Sequence, residues 1–141
     1  MKNNCYLFLV SIVLVSGCVH KPFQPLPYSY EMWKKNGASI TDIQVALLEC
    51  GRVDPTGYNA KEVGEENMNG YILANLCMEK IGFIPDRKFI SDKEQICKIS
   101  NISKLPACQS SAVIPIPSIQ RRLESKFCKV YPHADACQRR D

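Results

Sequence analysis

Long apolar runs are scarce in this chain of 141 residues. The one that stands out, Tyr6 to Val15, has ten residues with Ser11 among them. Ten helical residues cover about 15 Å, half a bilayer core, so the run is too short to span a membrane. Histidine is scarcer still: only His20 and His133 occur. A nucleophilic Ser or Cys therefore has one candidate base in the body of the chain, His133, held between Pro132 and Ala134 where a solvated loop is expected. No Cys-x-x-Cys occurs, so the spacing of a zinc site or a redox dithiol is missing. No Gly-rich phosphate loop occurs either, and the 7 Gly and 9 Pro follow no period, which excludes collagen-like and low-complexity classes. Glu65-Glu66 opens a predicted helix, where two carboxylates suit the helix dipole better than a paired acid and base. These absences leave no catalytic residue, metal ligand or cofactor to nominate, and a non-enzymatic protein is expected.

Cysteine is plentiful. Eight in a chain of this length point to a small domain stapled in an oxidising compartment. Apolar residues make up 45% and charged residues 23%, which fits one folded domain rather than disorder.

The N-terminus reads Lys2, then the apolar run, then Val15-Ser16-Gly17-Cys18. This resembles the lipobox of small Gram-negative bacterial lipoproteins: an aliphatic residue, two small residues and a cysteine. The resemblance implies a signal peptide over residues 1–17 and acylation of Cys18, which becomes the first mature residue. Val19 stands where such lipoproteins carry Asp when they are retained at the inner membrane, so the outer membrane is implied, facing the periplasm or the cell surface. Several acyl chains make a stable anchor, since each buried CH₂ contributes about 0.8 kcal/mol. A second resemblance to such lipoproteins covers roughly residues 30–83: Trp33 and Gly37, Cys50 at a helix end, then Cys77-Met78 and Gly82-Phe83. It carries a fold expectation and no assigned activity. Trp33 reads as a cap over a helix pair rather than a ligand platform.

Residues 18–29 form a lipidated tether with Pro22, Pro25 and Pro27 in its middle. Twelve extended residues would reach roughly 35 Å at ~3.1 Å each. The body, 30–141, reads as an all-α, disulfide-stapled domain: a helix pair plus two Cys-closed helix-turn repeats. The first helix has Ile43, Ala46, Leu47 and Cys50 on one face, and either Thr41 or Ser39 opens it. Gly51 stops it. A second helix is predicted from about Glu65 to Ile81, with Leu73, Leu76, Cys77 and Ile81 buried and Gly82 after it. Ser91-Asp92-Lys93-Glu94 has the form of a capping box for a short helix through Cys97. A last helix starts near Ser118 and carries Ile119, Leu123, Phe127 and Val130. Val113-Ile114-Pro115-Ile116 is at most an edge strand, because prolines break it.

With Cys5 in the signal peptide and Cys18 taking lipid, six cysteines remain, enough for three disulfides in fifteen possible pairings. Spacing favours one pairing. Cys50 and Cys77 lie on the inner faces of the helix pair. Glu94-Gln95-Ile96-Cys97-Lys98, closing at Ala107-Cys108-Gln109, is echoed by Glu124-Ser125-Lys126-Phe127-Cys128-Lys129, closing at Ala136-Cys137-Gln138. Cys97 is therefore matched with Cys108, and Cys128 with Cys137.

Charge is lopsided. Residues 18–117 carry eleven cations and eleven anions, whereas 118–141 hold Arg121, Arg122, Lys126, Lys129, Arg139 and Arg140 against three acids. This is either a basic binding patch for an anionic envelope component or acidic partner, or a solvated helix face. Nucleic acid is not an expected partner in the envelope. The leading functional expectation is an anchored protein-interaction module. A defensive lipoprotein against an incoming toxin, phage or hydrolase is the alternative.

Overall fold

The computed structural model describes residues 25–57 and 65–138. The expected lipobox with Cys18, the first part of the expected tether, and Arg139 and Arg140 lie outside the described residues. Five α-helices occur among those described: α1 (Ile40–Glu49), α2 (Glu65–Lys80), α3 (Lys93–Ile96), α4 (Ile119–Glu124) and α5 (Lys126–Val130). Three 3-10 turns, Ser29–Met32, Pro106–Cys108 and Asp135–Cys137, complete the helical content. A two-residue ladder, β1 (Trp33–Lys34) against β2 (Ile84–Pro85), runs antiparallel with Trp33 opposite Pro85. The domain is thus a small, mostly helical, disulfide-stapled one, as expected, with a short ladder the sequence did not announce. The Val113–Ile116 stretch forms no strand.

Ser39, not Thr41, opens α1. Its hydroxyl accepts from Asp42 N at 3.2 Å, and Asp42 Oδ2 accepts from Ser39 N at 2.8 Å, so two orphan amide donors are satisfied reciprocally. Both long helices end alike. Gly51 (φ +104°) and Gly82 (φ +89°) adopt the left-handed conformation, letting Arg52 N reach Leu47 O and Phe83 N reach Met78 O, each at 2.9–3.0 Å. The capping box expected at Ser91 does not form. Asp92 is the N-cap of α3 without a side-chain bond, because its carboxylate is taken by Arg87 at 2.7 Å.

The single C-terminal helix predicted from Ser118 is two. Ser125 is extended (φ −60°, ψ 150°), ends α4 and caps α5 by accepting from Cys128 N at 3.1 Å. The break rotates the apolar stripe: Ile119 and Val130 are exposed, and the fully buried positions are Arg122 and Cys128. On α2 the buried residues include Ile72, Ala74, Cys77 and Met78, whereas Leu73, Leu76 and Ile81 are half-buried. The one-face reading fails there because α2 is wanted on two sides.

Each disulfide sits inside its own small core. Cys50–Cys77 (Cα–Cα 5.6 Å) lies with Trp33, Ile43, Leu47, Met78 and Phe83. Cys97–Cys108 (5.5 Å) flanks Ile72, Ile102 and Ala107. Cys128–Cys137 (5.4 Å) packs with Leu48, Phe127 and Ala136. Helix α1 therefore serves the first and third of these cores, and α2 the first and second. Trp33 is buried in the core of the helix pair, the position of a cap and not of a ligand platform.

The internal repeat is structural as well as textual. In each copy a short helix ends near a Cys, turns, and returns through a 3-10 turn whose buried alanine, Ala107 or Ala136, precedes the second Cys. The following Gln reaches back six residues in both: Gln109 Nε2 donates to Ser103 O at 3.0 Å, and Gln138 Nε2 to Pro132 O at 2.8 Å. One copy docks on α2, where Ala107 N donates to Asn69 Oδ1 at 2.7 Å. The other docks on α1.

Candidate functional site

The expected basic patch does not assemble as read from the sequence. Arg122 is only 2% exposed and belongs to the scaffold. Its Nη1 donates to Ala136 O (3.0 Å) and Gln138 O (3.1 Å), and its Nε stands 3.3 Å from Glu49 Oε1. That last approach is a charge contact rather than an aligned hydrogen bond, since Nε has no bond partner by angle. Burial of one cation beside one carboxylate ties α4 and the last 3-10 turn to α1. Arg121 is half-used: its Nη1 donates to Glu49 O and to Ile116 O. Lys126 and Lys129 are exposed. Four of the six expected cations are therefore described, and only two of them stand fully in solvent.

What the fold builds near these cations is a groove. It runs between the turn after α1 and the α4–α5 segment. A cavity of about 310 Å³ is lined by Gly51, Arg52, Val53, Arg121, Glu124 and Lys126, among others. It shares Val53 and Lys126 with a second of about 230 Å³, which reaches Asp54, Phe127, Val130 and Tyr131. Those four recur in a third of about 510 Å³ that ends at Pro132, His133 and Ala134. The shared walls make one continuous surface channel, cationic at one end and aromatic at the other.

Local chemistry holds both walls. On the α1 side, Asp54 Oδ1 accepts from Thr56 N (2.8 Å), Thr56 Oγ1 (2.8 Å) and Gly57 N (3.0 Å), a closed Asx turn. Arg52 donates to Ser29 Oγ at 3.3 Å and lies 4.7 Å above the Tyr71 ring. On the other side, Phe127 and Tyr131 pack with ring centroids 5.2 Å apart, and the Cys128–Cys137 bond anchors the helix beneath them. Val130 and Tyr131 are nevertheless 57% and 58% exposed, a solvated apolar rim on a rigid support. The sequence places Val130 on the apolar stripe of the last helix and gives no signal at Val53 or Tyr131. Only the break at Ser125 turns that side outward.

His133 lies at the aromatic end, exposed, and makes no hydrogen bond or ion pair among the described residues. Among the described residues no carboxylate is hydrogen-bonded to its ring. Among the described residues no three His, Cys, Asp or Glu side chains gather to hold a metal ion, and no helix is long and apolar enough to cross a membrane. Burial pushes the Tyr30 phenol above its ordinary value, with the Glu31 carboxylate and Tyr28 adding to the shift. Its consequence for stability lies above about pH 10, where native Tyr30 keeps its proton longer than the unfolded chain does and the contribution is lost as pH rises.

No protein-family model, curated protein or solved structure matches this chain.

Proposed function

We propose that this is a lipid-anchored envelope protein whose helical domain is a non-enzymatic docking module for another protein of the envelope. The observation that carries the reading is the continuous groove with its exposed apolar rim on a cross-linked support. Isolated surface apolar residues are ordinary, but Val53, Val130 and Tyr131 line adjoining walls of one channel. The arrangement favours a protein over an anionic polymer. Burial of Arg122 removes a cation from the surface, and Val130, Tyr131 and Phe127 offer a polyanion nothing. The lipobox at Cys18, with Val19 after it, supports an anchor in the outer membrane.

The test is a photocrosslinking amino acid at Val130 of the full chain, expressed in cells, followed by mass spectrometry of the adduct. One stoichiometric envelope protein is expected, and it should vanish when the probe is moved to the exposed Val113. No adduct in resting cells overturns this reading in favour of a defensive protein whose target arrives from outside. The anchor has its own control: Cys18→Ala should lose its partition into detergent, and retained partition overturns lipidation.

A further inference from the structure

We infer that the groove takes an extended peptide segment of its protein partner, one in which an Asp or Glu side chain adjoins a short run of apolar or aromatic residues. This rests on the docking-module reading and adds to it the chemistry of the bound segment.

The charge along the groove is graded. Arg52, Arg121 and Lys126 line the first cavity with one carboxylate, Glu124, which accepts from Gln120 Nε2 at 2.8 Å, and Asp54 in the next cavity has its Oδ1 engaged in the Asx turn. Lys126 is exposed and makes no hydrogen bond or ion pair among the described residues. Arg121 is held in place by the two carbonyls its Nη1 serves, and neither its Nε nor its Nη2 has a partner among the described residues. A positioned guanidinium lining the same cavity as an exposed, unpaired ammonium is a receptor for one carboxylate. The other end offers Phe127, Val130 and Tyr131. A ligand that satisfies both ends carries its negative charge at one place and its apolar groups further along.

Shape and polarity distinguish a peptide from a lipid. The three volumes adjoin through shared lining residues, Val53 and Lys126 between the first and second and Asp54, Phe127, Val130 and Tyr131 between the second and third, which suits a ligand laid along the surface. Asp54 stands in the wall shared by the second and third cavities and Thr56 in the third, where Asp54 Oδ2, not used by the Asx turn, is an acceptor for peptide N–H groups. An acyl tail would cover those polar groups without replacing their water. The Asx turn and the disulfide fix both walls beforehand, which lowers the ordering cost of binding.

The experiment pans a random dodecapeptide phage library against the full mature chain in detergent micelles. Enrichment of sequences joining Asp or Glu to apolar or aromatic residues is expected. One enriched peptide is then labelled and compared with its Asn or Gln counterpart by fluorescence anisotropy. Lys126→Glu should weaken the acidic peptide about tenfold or more and leave the neutral one within about twofold, because an edge charge acts through steering and salt-sensitive attraction. Val130→Asp should weaken both about tenfold, since it places an unpaired charge against the apolar half. Both side chains are exposed, so neither change disturbs the core. Enrichment of basic sequences, no enrichment, or equal weakening of both peptides by Lys126→Glu overturns the inference. An adduct at Val130 whose attached segment lacks an acidic residue overturns it too, while leaving the docking module standing. No adduct in cells removes the reading beneath it.

Discussion

At the scale of single residues, Arg122 is the position where sequence and structure diverge most. In the sequence it is one cation of a basic tail. In the fold its guanidinium ties α4 to two other segments: Glu49 at the end of α1, and the last 3-10 turn through the carbonyls of Ala136 and Gln138. Arg122→Met removes the cation and leaves Glu49 half-buried without its partner. Loss of one member of a buried ion pair costs about 3–5 kcal/mol. The midpoint of urea unfolding should drop accordingly, and Arg122→Lys should recover less than half of it, because an ammonium cannot address a carboxylate and two carbonyls in one plane. A variant within about 0.5 kcal/mol of the parent, the range of an ordinary surface change, would show that Arg122 is solvated after all.

At the scale of elements, the two Cys-closed units are copies of one device: a short helix, a turn and a 3-10 return whose Gln reaches back six residues. Their spacing made them legible in the sequence, because each closes a loop of about ten residues on itself. Where each docks was not legible, since the docking bonds come from Asn69 on α2 and Arg122 on α4, neither of which belongs to the repeat. Removing either short disulfide should cost about 2.5–3 kcal/mol by loop-closure entropy. The two should differ in coupling. In a Cys128→Ala/Cys137→Ala background the carbonyls that Arg122 binds are no longer held, so Arg122→Met should cost at least about 1 kcal/mol less than in the parent. In a Cys97→Ala/Cys108→Ala background the costs should add within about 0.5 kcal/mol. Equal coupling in both backgrounds would refute the separate-core picture.

At the scale of the whole molecule, the described residues form three small cores rather than one large one, and each contains a disulfide. The helix pair alone is joined by Cys50–Cys77, whose longer loop contributes about 3.5 kcal/mol on the same model. Net stabilities of domains are about 5–15 kcal/mol, so the three bonds together are comparable to the total. The six paired cysteines should therefore resist a thiol reagent until the protein is denatured and reduced, and the domain should lose its cooperative thermal transition once reduced. A reactive thiol before reduction, or an unchanged melting temperature after it, would contradict this account.

The sequence alone determined what depends on neighbours along the chain. Gly51 and Gly82 terminate helices because only a left-handed residue lets the next amide reach back, and that requirement is local. The two short disulfide loops are local too, whereas the sequence left Thr41 and Ser39 as equal candidates for the reciprocal cap that Ser39 makes with Asp42. Tertiary structure decided what depends on which surfaces meet. It placed Arg122 inside, because Glu49, Ala136 and Gln138 converge on it from distant positions. It split the C-terminal helix at Ser125, which turned Val130 and Tyr131 outward and created the groove. Periodicity reports which side of a helix is apolar, and it falls silent when a helix is packed on two sides or broken in mid-course.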